Sequence, residues 1–314
     1  MKTTIENRQI KDGQRDVERS FRQNGPFYHV SSKPLETSII FGDEEEKKTA
    51  LTLLAITCAE LDAEVLAYAL MSNHFHLLLR NRDPLLFYNS FVGKLESFLV
   101  RHGHPGIKLP FDPTVVKVES LRQFRNVVAY IIRNEYVVNP KVNPLSSIWC
   151  SGYLYFNSFI DAFHYLYKSP DKLSIDARRI LTKTRNLALP ANVKIWNNSV
   201  APSSFVNFKL VEHLYGNTWC FFRHVFKDVE AQIETAIALG ETPLTPDEEM
   251  VRTVYSICMQ NWGMAVSELS SSQKMELMKI MKYDYKCSNA QISRIAGIKP
   301  SEVDRFFPMS AKAK

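Results

Sequence analysis

The stretch YALMSNHFHLLLR, Tyr68–Arg80, sets two apolar runs around the pair Ser72-Asn73 and carries two histidines one residue apart, His74 and His76. Val65 to Met71 before the pair and Phe75 to Arg80 after it are rich in strand formers, and Ser72-Asn73 can close a tight turn. A β-hairpin is predicted. Side chains alternate along a strand, so His74 and His76 project from one face while Phe75, Leu77 and Leu79 point to the other. An unsatisfied buried polar group costs roughly 1–3 kcal/mol, so each imidazole in so apolar a strand needs a polar partner or a metal. Two readings stay open: a pair of satisfied or surface polar residues, and half of a metal site. Neutral imidazoles suit Mn, Fe, Zn, Cu or Ni, and Mg where phosphate oxygens and water complete its shell.

Upstream, FYHVSSK (Phe27–Lys33) has the alternation of a strand, and Asp43 before EEEKK can cap a helix that runs to about Asp62. Downstream, a helix is expected from Pro84 to Arg101, broken by His102-Gly103-His104-Pro105-Gly106. Val115–Val118 then reads as a strand and Leu121 to about Val138 as a helix closed by Asn139-Pro140. The order β, α, β, β, α, β, α predicts an α+β fold of ferredoxin-like type, an antiparallel sheet with helices on one face, plus one more helix. Residues 1–24 read as a mobile charged leader and 25–150 as the sheet domain. Residues 151–240 read as a helical connecting region packed on that domain. The loop GETPLTPDEEM, Gly240–Met250, opens an all-helical domain over 241–314.

The composition narrows the function classes. At 314 residues with 45% hydrophobic content, the chain can bury a core without covalent staples. Its five cysteines are scattered and form no CxxC pair, which argues against a disulfide framework and a zinc knuckle. A net charge of +6 favours a polyanionic partner. Neither a signal-peptide pattern nor a run of about 18 apolar residues occurs, so a cytoplasmic protein is expected.

On a wheel of about 100° per residue, Leu121, Phe124, Val128, Ile131 and Ile132 form the core stripe of the helix after Ser120. Tyr130 falls near the opposite side, in line with Gln123, Asn126, Arg133 and Asn134, and Asn134 lies one turn from it. A tyrosine there is either a surface residue or, beside a metal, a nucleophile for a polarised phosphodiester.

These residues resemble a known family. MSNHFHLLL is similar to the Met-x-Asn-His-x-His-Leu-Leu-Leu signature of IS200-like, single-tyrosine HUH transposases, which include the REP-associated tyrosine transposases. YIIRN resembles their Tyr-x-x-x-Asn/Gln element and FYHVSSK their first strand, in the same order and spacing over roughly Gly25 to Ser151. The resemblance implies a divalent metal, Mg2+ or Mn2+, held by His74, His76 and the amide of Asn134, with Tyr130 as nucleophile. It implies cleavage and rejoining of single-stranded, hairpin-bearing DNA through a 5′-phosphotyrosyl intermediate and a free 3′-OH. The chain departs from the family at the end of this helix: Asn134-Glu135-Tyr136-Val137-Val138-Asn139-Pro140 stands where the family continues Asn-Pro-Val-x-Ala-Gly. Tyr136 is a rival, about 120° around the helix from Tyr130 and away from Asn134.

In the C-terminal region, Tyr283–Phe307 reads as helix, glycine turn, helix: Ser288 can cap the first, Gly297 permits the turn and Pro300 suits the start of the second. Ile292, Ile295, Ile298, Val303 and Phe306 have the spacing of a small core. Taken as a helix-turn-helix, it would present Ser301, Asp304 and Arg305 to a major groove, with Lys279, Lys282, Lys286 and Arg294 near the DNA backbone. A plain helical bundle is the alternative. The expected partners are single-stranded DNA through Gln123, Asn126 and Arg133, and duplex DNA at the C-terminal domain, for a monomer or homodimer. A non-catalytic DNA-binding regulator and a metal-dependent nuclease without a covalent intermediate are the competing functions.

Overall fold

The computed structural model describes residues 2–307 apart from 34–39, 110, 111, 139–142, 161, 163–165, 185–187, 227, 228, 242–246 and 286. The expected helix terminator Asn139-Pro140 and Lys286 therefore lie outside the described residues.

The chain opens with α1 (Lys2–Asn24), so the expected mobile leader is a helix. Its end is tied down by Phe21, buried with its ring centroid 5.3 Å from Phe27 and 6.0 Å from Phe124. Then follow β1 (Phe27–Ser31), α2 (Glu44–Glu60), β2 (Glu64–Leu70), β3 (Phe75–Arg80), α3 (Pro84–Arg101) and β4 (Thr114–Val118). The strands pair in the order β2-β3-β1-β4, every neighbour antiparallel. Asp43 caps α2 as expected, in a capping box with Glu46. The hairpin turn is Ser72-Asn73, with the Met71 N–H donating to the His74 carbonyl at 3.0 Å.

The two faces of the sheet are covered differently. Phe75 packs on Tyr88 and Phe91 of α3, so α2 and α3, which pack together, occupy one face. His76, the next residue, meets Tyr130 of α4 (Leu121–Val138), which lies across the other face. The additional helix expected after β4 is α4, and it lies on the face that α2 and α3 leave open, which makes a three-layer stack. A strand whose both faces are apolar requires this, and β2 and β3 are buried along nearly their whole length.

Beyond α4 come α5 (Ile175–Thr182), a short ribbon of β5 (Ile195–Trp196) and β6 (Ser199–Val200), α6 (Phe208–Tyr215), α7 (Thr218–Val225) and α8 (Val229–Ala238). α6, α7 and α8 pack on α4, and Leu154, Tyr155, Val211, Leu214, Tyr215, Phe221, Ala236 and Leu239 join one hydrophobic cluster with the sheet. A second cluster belongs to α9 (Asp247–Trp262), α10 (Ser271–Tyr283), α11 (Asn289–Ala296) and α12 (Pro300–Phe306). Ser288 caps α11, Gly297 is left-handed (φ 64°) and Pro300 opens α12, as expected. The expected core residue Phe306 is instead 45% exposed, and Phe307 packs in its place. Among the described residues no helix is long and apolar enough to cross a membrane.

Candidate active site

The site forms where β1, β3 and α4 face one another. On β1, Phe27, His29 and Ser31 share the face toward α4; Ser31 lies opposite His76 in the ladder, and His29 opposite Leu78. The rings of His29 and His76 stack at 5.5 Å, and Tyr130 stands edge-on over both, 6.1 and 5.5 Å away. His74 is the last residue of the turn rather than part of β3, yet its ring reaches His76 at 4.7 Å. The two rings adjoin, although only His76 lies on the strand.

Hydrogen bonding constrains which nitrogen of each ring carries a proton. His74 Nδ1 lies 2.8 Å from Asn73 Oδ1; an amide oxygen only accepts, so Nδ1 donates and Nε2 keeps the lone pair. His76 Nδ1 lies 3.4 Å from Glu241 Oε1 and also 3.4 Å from His29 Nε2; the tautomer that donates to the carboxylate leaves the lone pair on Nε2. That Nε2 is buried without a hydrogen-bond partner among the described residues. Asn134 is buried, and its Nδ2 donates to the Tyr130 carbonyl one turn back at 3.0 Å. Its Oδ1 is also buried without a partner. Two ligand atoms of the expected metal set are thus desolvated and unsatisfied, a costly state that a cation would relieve.

Glu241 joins the same cluster. Its Oε2 accepts from the Tyr130 hydroxyl and its Oε1 from the Ser31 hydroxyl, while His29 Nε2 lies 3.8 Å from Oε1. One ligand atom each from His29, His76 and Glu241 falls within 4.8 Å of the others, so this group too could hold a metal ion. Charge follows the packing. Burial lowers His29 to about 4 against the pull of Glu241, and burial together with His76 lowers His74 to about 3. Both are neutral at pH 7 and free to ligate. Burial alone would raise Glu241, but His76, His29 and Ser31 outweigh it and hold the carboxylate ionised. The Tyr130 phenol is pushed far up, first by burial and then by Glu241.

Sequence reading and structure agree on His74, His76, Tyr130 and Asn134 as neighbours. They differ on exposure. Tyr130 is 4% exposed and Arg133 4%, so the side of α4 expected to face outward is covered, and Arg133 does not present itself to a surface-bound strand. Tyr136 is 39% exposed and away from the cluster. Gln123 accepts from the Glu119 N–H at 2.9 Å, an end-of-helix role, and Asn126 is half-buried. Ser301 and Arg305 are exposed on α12, and Arg294 on α11 is held by Asp247 at 2.9 Å. His29, Ser31 and Glu241 were missed. His29 left a signal, being an imidazole on a short apolar strand; Glu241 left none, sitting at the edge of the expected C-terminal domain. Comparison of the chain with protein-family models, with curated proteins and with solved structures finds no match.

Proposed function

We propose that this protein is a metal-dependent DNA strand transferase of the single-tyrosine HUH kind, built on a ferredoxin-like sheet, with Tyr130 as nucleophile. The observation that carries the reading is the Tyr130 hydroxyl over stacked imidazoles, beside two buried, unpartnered ligand atoms, His76 Nε2 and Asn134 Oδ1. His74, His76 and Asn134 would hold Mg2+ or Mn2+. When bound, the cation supplies charge neutralisation on a non-bridging phosphate oxygen.

The chain's own residues do the rest. Tyr130 Oη forms a bond to phosphorus, the bond from phosphorus to the 3′ oxygen breaks, and the phenolic proton ends on that 3′ oxygen. The product is a 5′-phosphotyrosyl link, which conserves the diester's bond energy for rejoining. Asn73 orients the His74 imidazole through Nδ1, and burial keeps His74 neutral and the reaction away from bulk water.

A groove of about 1200 Å³ lined by Arg15, Arg19, Arg22, Arg125 and His213 supports a polyanionic partner. The substrate is single-stranded, hairpin-forming DNA, and α11 and α12 are the helix-turn-helix that meets duplex DNA through Arg294, Ser301 and Arg305. Such a protein acts at the nucleoid, in the cytoplasm.

The test is a labelled hairpin-bearing single strand with Mn2+ or Mg2+, followed on denaturing gels. The expected result is a metal-dependent covalent adduct that Tyr130→Phe abolishes and Tyr136→Phe retains. Cleavage with no adduct would instead make the protein a hydrolytic nuclease, and binding with no cleavage a regulator.

A further inference from the structure

We propose that Ser31, His76 and Tyr130 form the receptor for the scissile phosphodiester, and that Glu241 is an internal anion which the DNA strand must displace. The inference rests on the reading above.

The two oxygens of Glu241 are bound by donors from separate elements: Ser31 at the end of β1, His76 on β3 and Tyr130 on α4. A phosphodiester presents the same chemistry, one negative charge shared by two acceptor oxygens. A pocket that satisfies the carboxylate is therefore built to bind the phosphate. Tyr130 spends its proton on Glu241 in the place where the phosphorus must stand, so the nucleophile cannot be aimed at DNA while the contact lasts. Two anions cannot share the pocket, since like charges at such separations repel strongly in a buried setting.

The way Glu241 is attached suits release. It lies just beyond α8, after Gly240, whose left-handed φ of 70° only glycine adopts without strain. The Glu241 N–H donates to the Ala236 carbonyl and the Gly240 N–H to the Ile237 carbonyl, each at 3.0 Å. This is a helix-ending pattern. Ser31, His76 and Tyr130 are fixed by sheet and helix, whereas Glu241 is held by that cap and its own carboxylate contacts.

The experiment uses the full chain and a fluorescent single-stranded oligonucleotide in EDTA, so that binding is read without cleavage. Apparent affinity scales with the fraction of molecules whose pocket is free, and Glu241→Ala is expected to bind about tenfold tighter or more. Glu241→Gln, which keeps the shape and removes the charge, should move the same way and serves if the alanine variant misfolds. Adding Ser31→Ala should cancel part of the gain. Calorimetry with Mn2+ alone should give equal affinity for wild type and Glu241→Gln.

Unchanged or weaker oligonucleotide binding in both Glu241 variants overturns the proposal, and so does a large loss of Mn2+ affinity, which would make Glu241 a cation ligand. Adduct formation by the wild type with no affinity gain in the variants sinks displacement alone. An affinity gain with no adduct from any protein upholds displacement and sinks the tyrosine chemistry.

Discussion

His29 and His74 are imidazoles held neutral by burial, at about 4 and about 3 against a free value of 6.5. As pH falls below 6.5 the unfolded chain takes up these protons first, so stability drops through the window from 6.5 to about 4 and, for His74, on to about 3. Glu241 works in a different window: its lowered pKa contributes stability above the ordinary carboxylate range, lost only as pH falls below it. Loss between pH 6 and 5 therefore belongs to the histidines. For His29 the full effect is on the order of 3 kcal/mol. Urea unfolding in chelator at pH 7.5, 6 and 5 should show a falling midpoint, with a shallower fall in His29→Gln; equal slopes would rule out His29 as the cause. The orphaned atoms make a companion prediction. Mn2+ at about 100 times its dissociation constant should stabilise the wild type by roughly 2.7 kcal/mol. Thermal melts should show most of that gain lost in His76→Ala and in Asn134→Ala, and a full gain in both variants would move the cation site elsewhere.

At the scale of elements, most boundaries were legible. α3 starts at Pro84 and stops at Arg101, and α4 spans Leu121–Val138, as capping and periodicity required. What the wheel of α4 could not report was the covering of its second side. Gln123, Asn126, Tyr130, Arg133 and Asn134 look polar and outward from within the helix, yet Tyr130, Arg133 and Asn134 are buried. Tyr130 is covered by His29 and His76 of the sheet and by Glu241, roughly a hundred residues later in the chain, while α7 and α8 pack on the same helix, and periodicity within one helix carries no information about such partners. The sheet's edge is handled the same way. β2 has a free side, and residues outside the sheet satisfy it: Leu70 N–H donates to the Trp149 carbonyl at 2.8 Å, Tyr68 N–H to Ser151 Oγ at 3.1 Å, and Tyr155 Oη to the Leu66 carbonyl at 2.6 Å. Gly152 lets this segment close down. A Cβ there would stand 2.2 Å from the Pro144 carbonyl oxygen and 2.7 Å from Ile132 Cγ2. Backbone cannot yield as a side chain can, so Gly152→Ala should cost about 2 kcal/mol or more. Because Ile132 is on the same helix as Tyr130, the variant should also weaken Mn2+ stabilisation. An unfolding midpoint within error of wild type would show that this segment does not hold the edge.

For the molecule as a whole, two large hydrophobic clusters stand out among the described residues, one that gathers residues from Phe21 to Leu239 and one in the C-terminal helices, beside a smaller third of Ala55, Leu181, Val193, Ile195 and Val200. Glu241 falls in the interval between the two large clusters, so the site is completed by the segment that leads into the second of them. The positive charge is also distributed by the fold. Arg15, Arg19 and Arg22 line one wall of the groove from α1, and Arg125 lines it from α4, its guanidinium donating to the Leu214 carbonyl at 2.9 and 2.8 Å. Arg19 also pairs with Asp16 at 3.9 Å, but both are well exposed and such a pair contributes little. The leader, read from sequence as a mobile charged tail, thus becomes a wall of the groove because Phe21 anchors it between Phe27 and Phe124. If the strand runs through this groove, each arginine that neutralises a phosphate contributes a slope of about −0.7 to log K against log salt for single strands. Replacing Arg15, Arg19 and Arg22 with alanine together should make the slope shallower by about 2. Adduct formation at saturating DNA should be retained, since none of the three touches the tyrosine. Arg294→Ala and Arg305→Ala should leave the single-strand slope alone and weaken duplex binding. Fluorescence titrations over a salt series separate these: an unchanged slope in the triple variant would remove the groove from the DNA path, whereas a shallower slope with chemistry intact would assign the leader helix to holding the strand rather than cutting it.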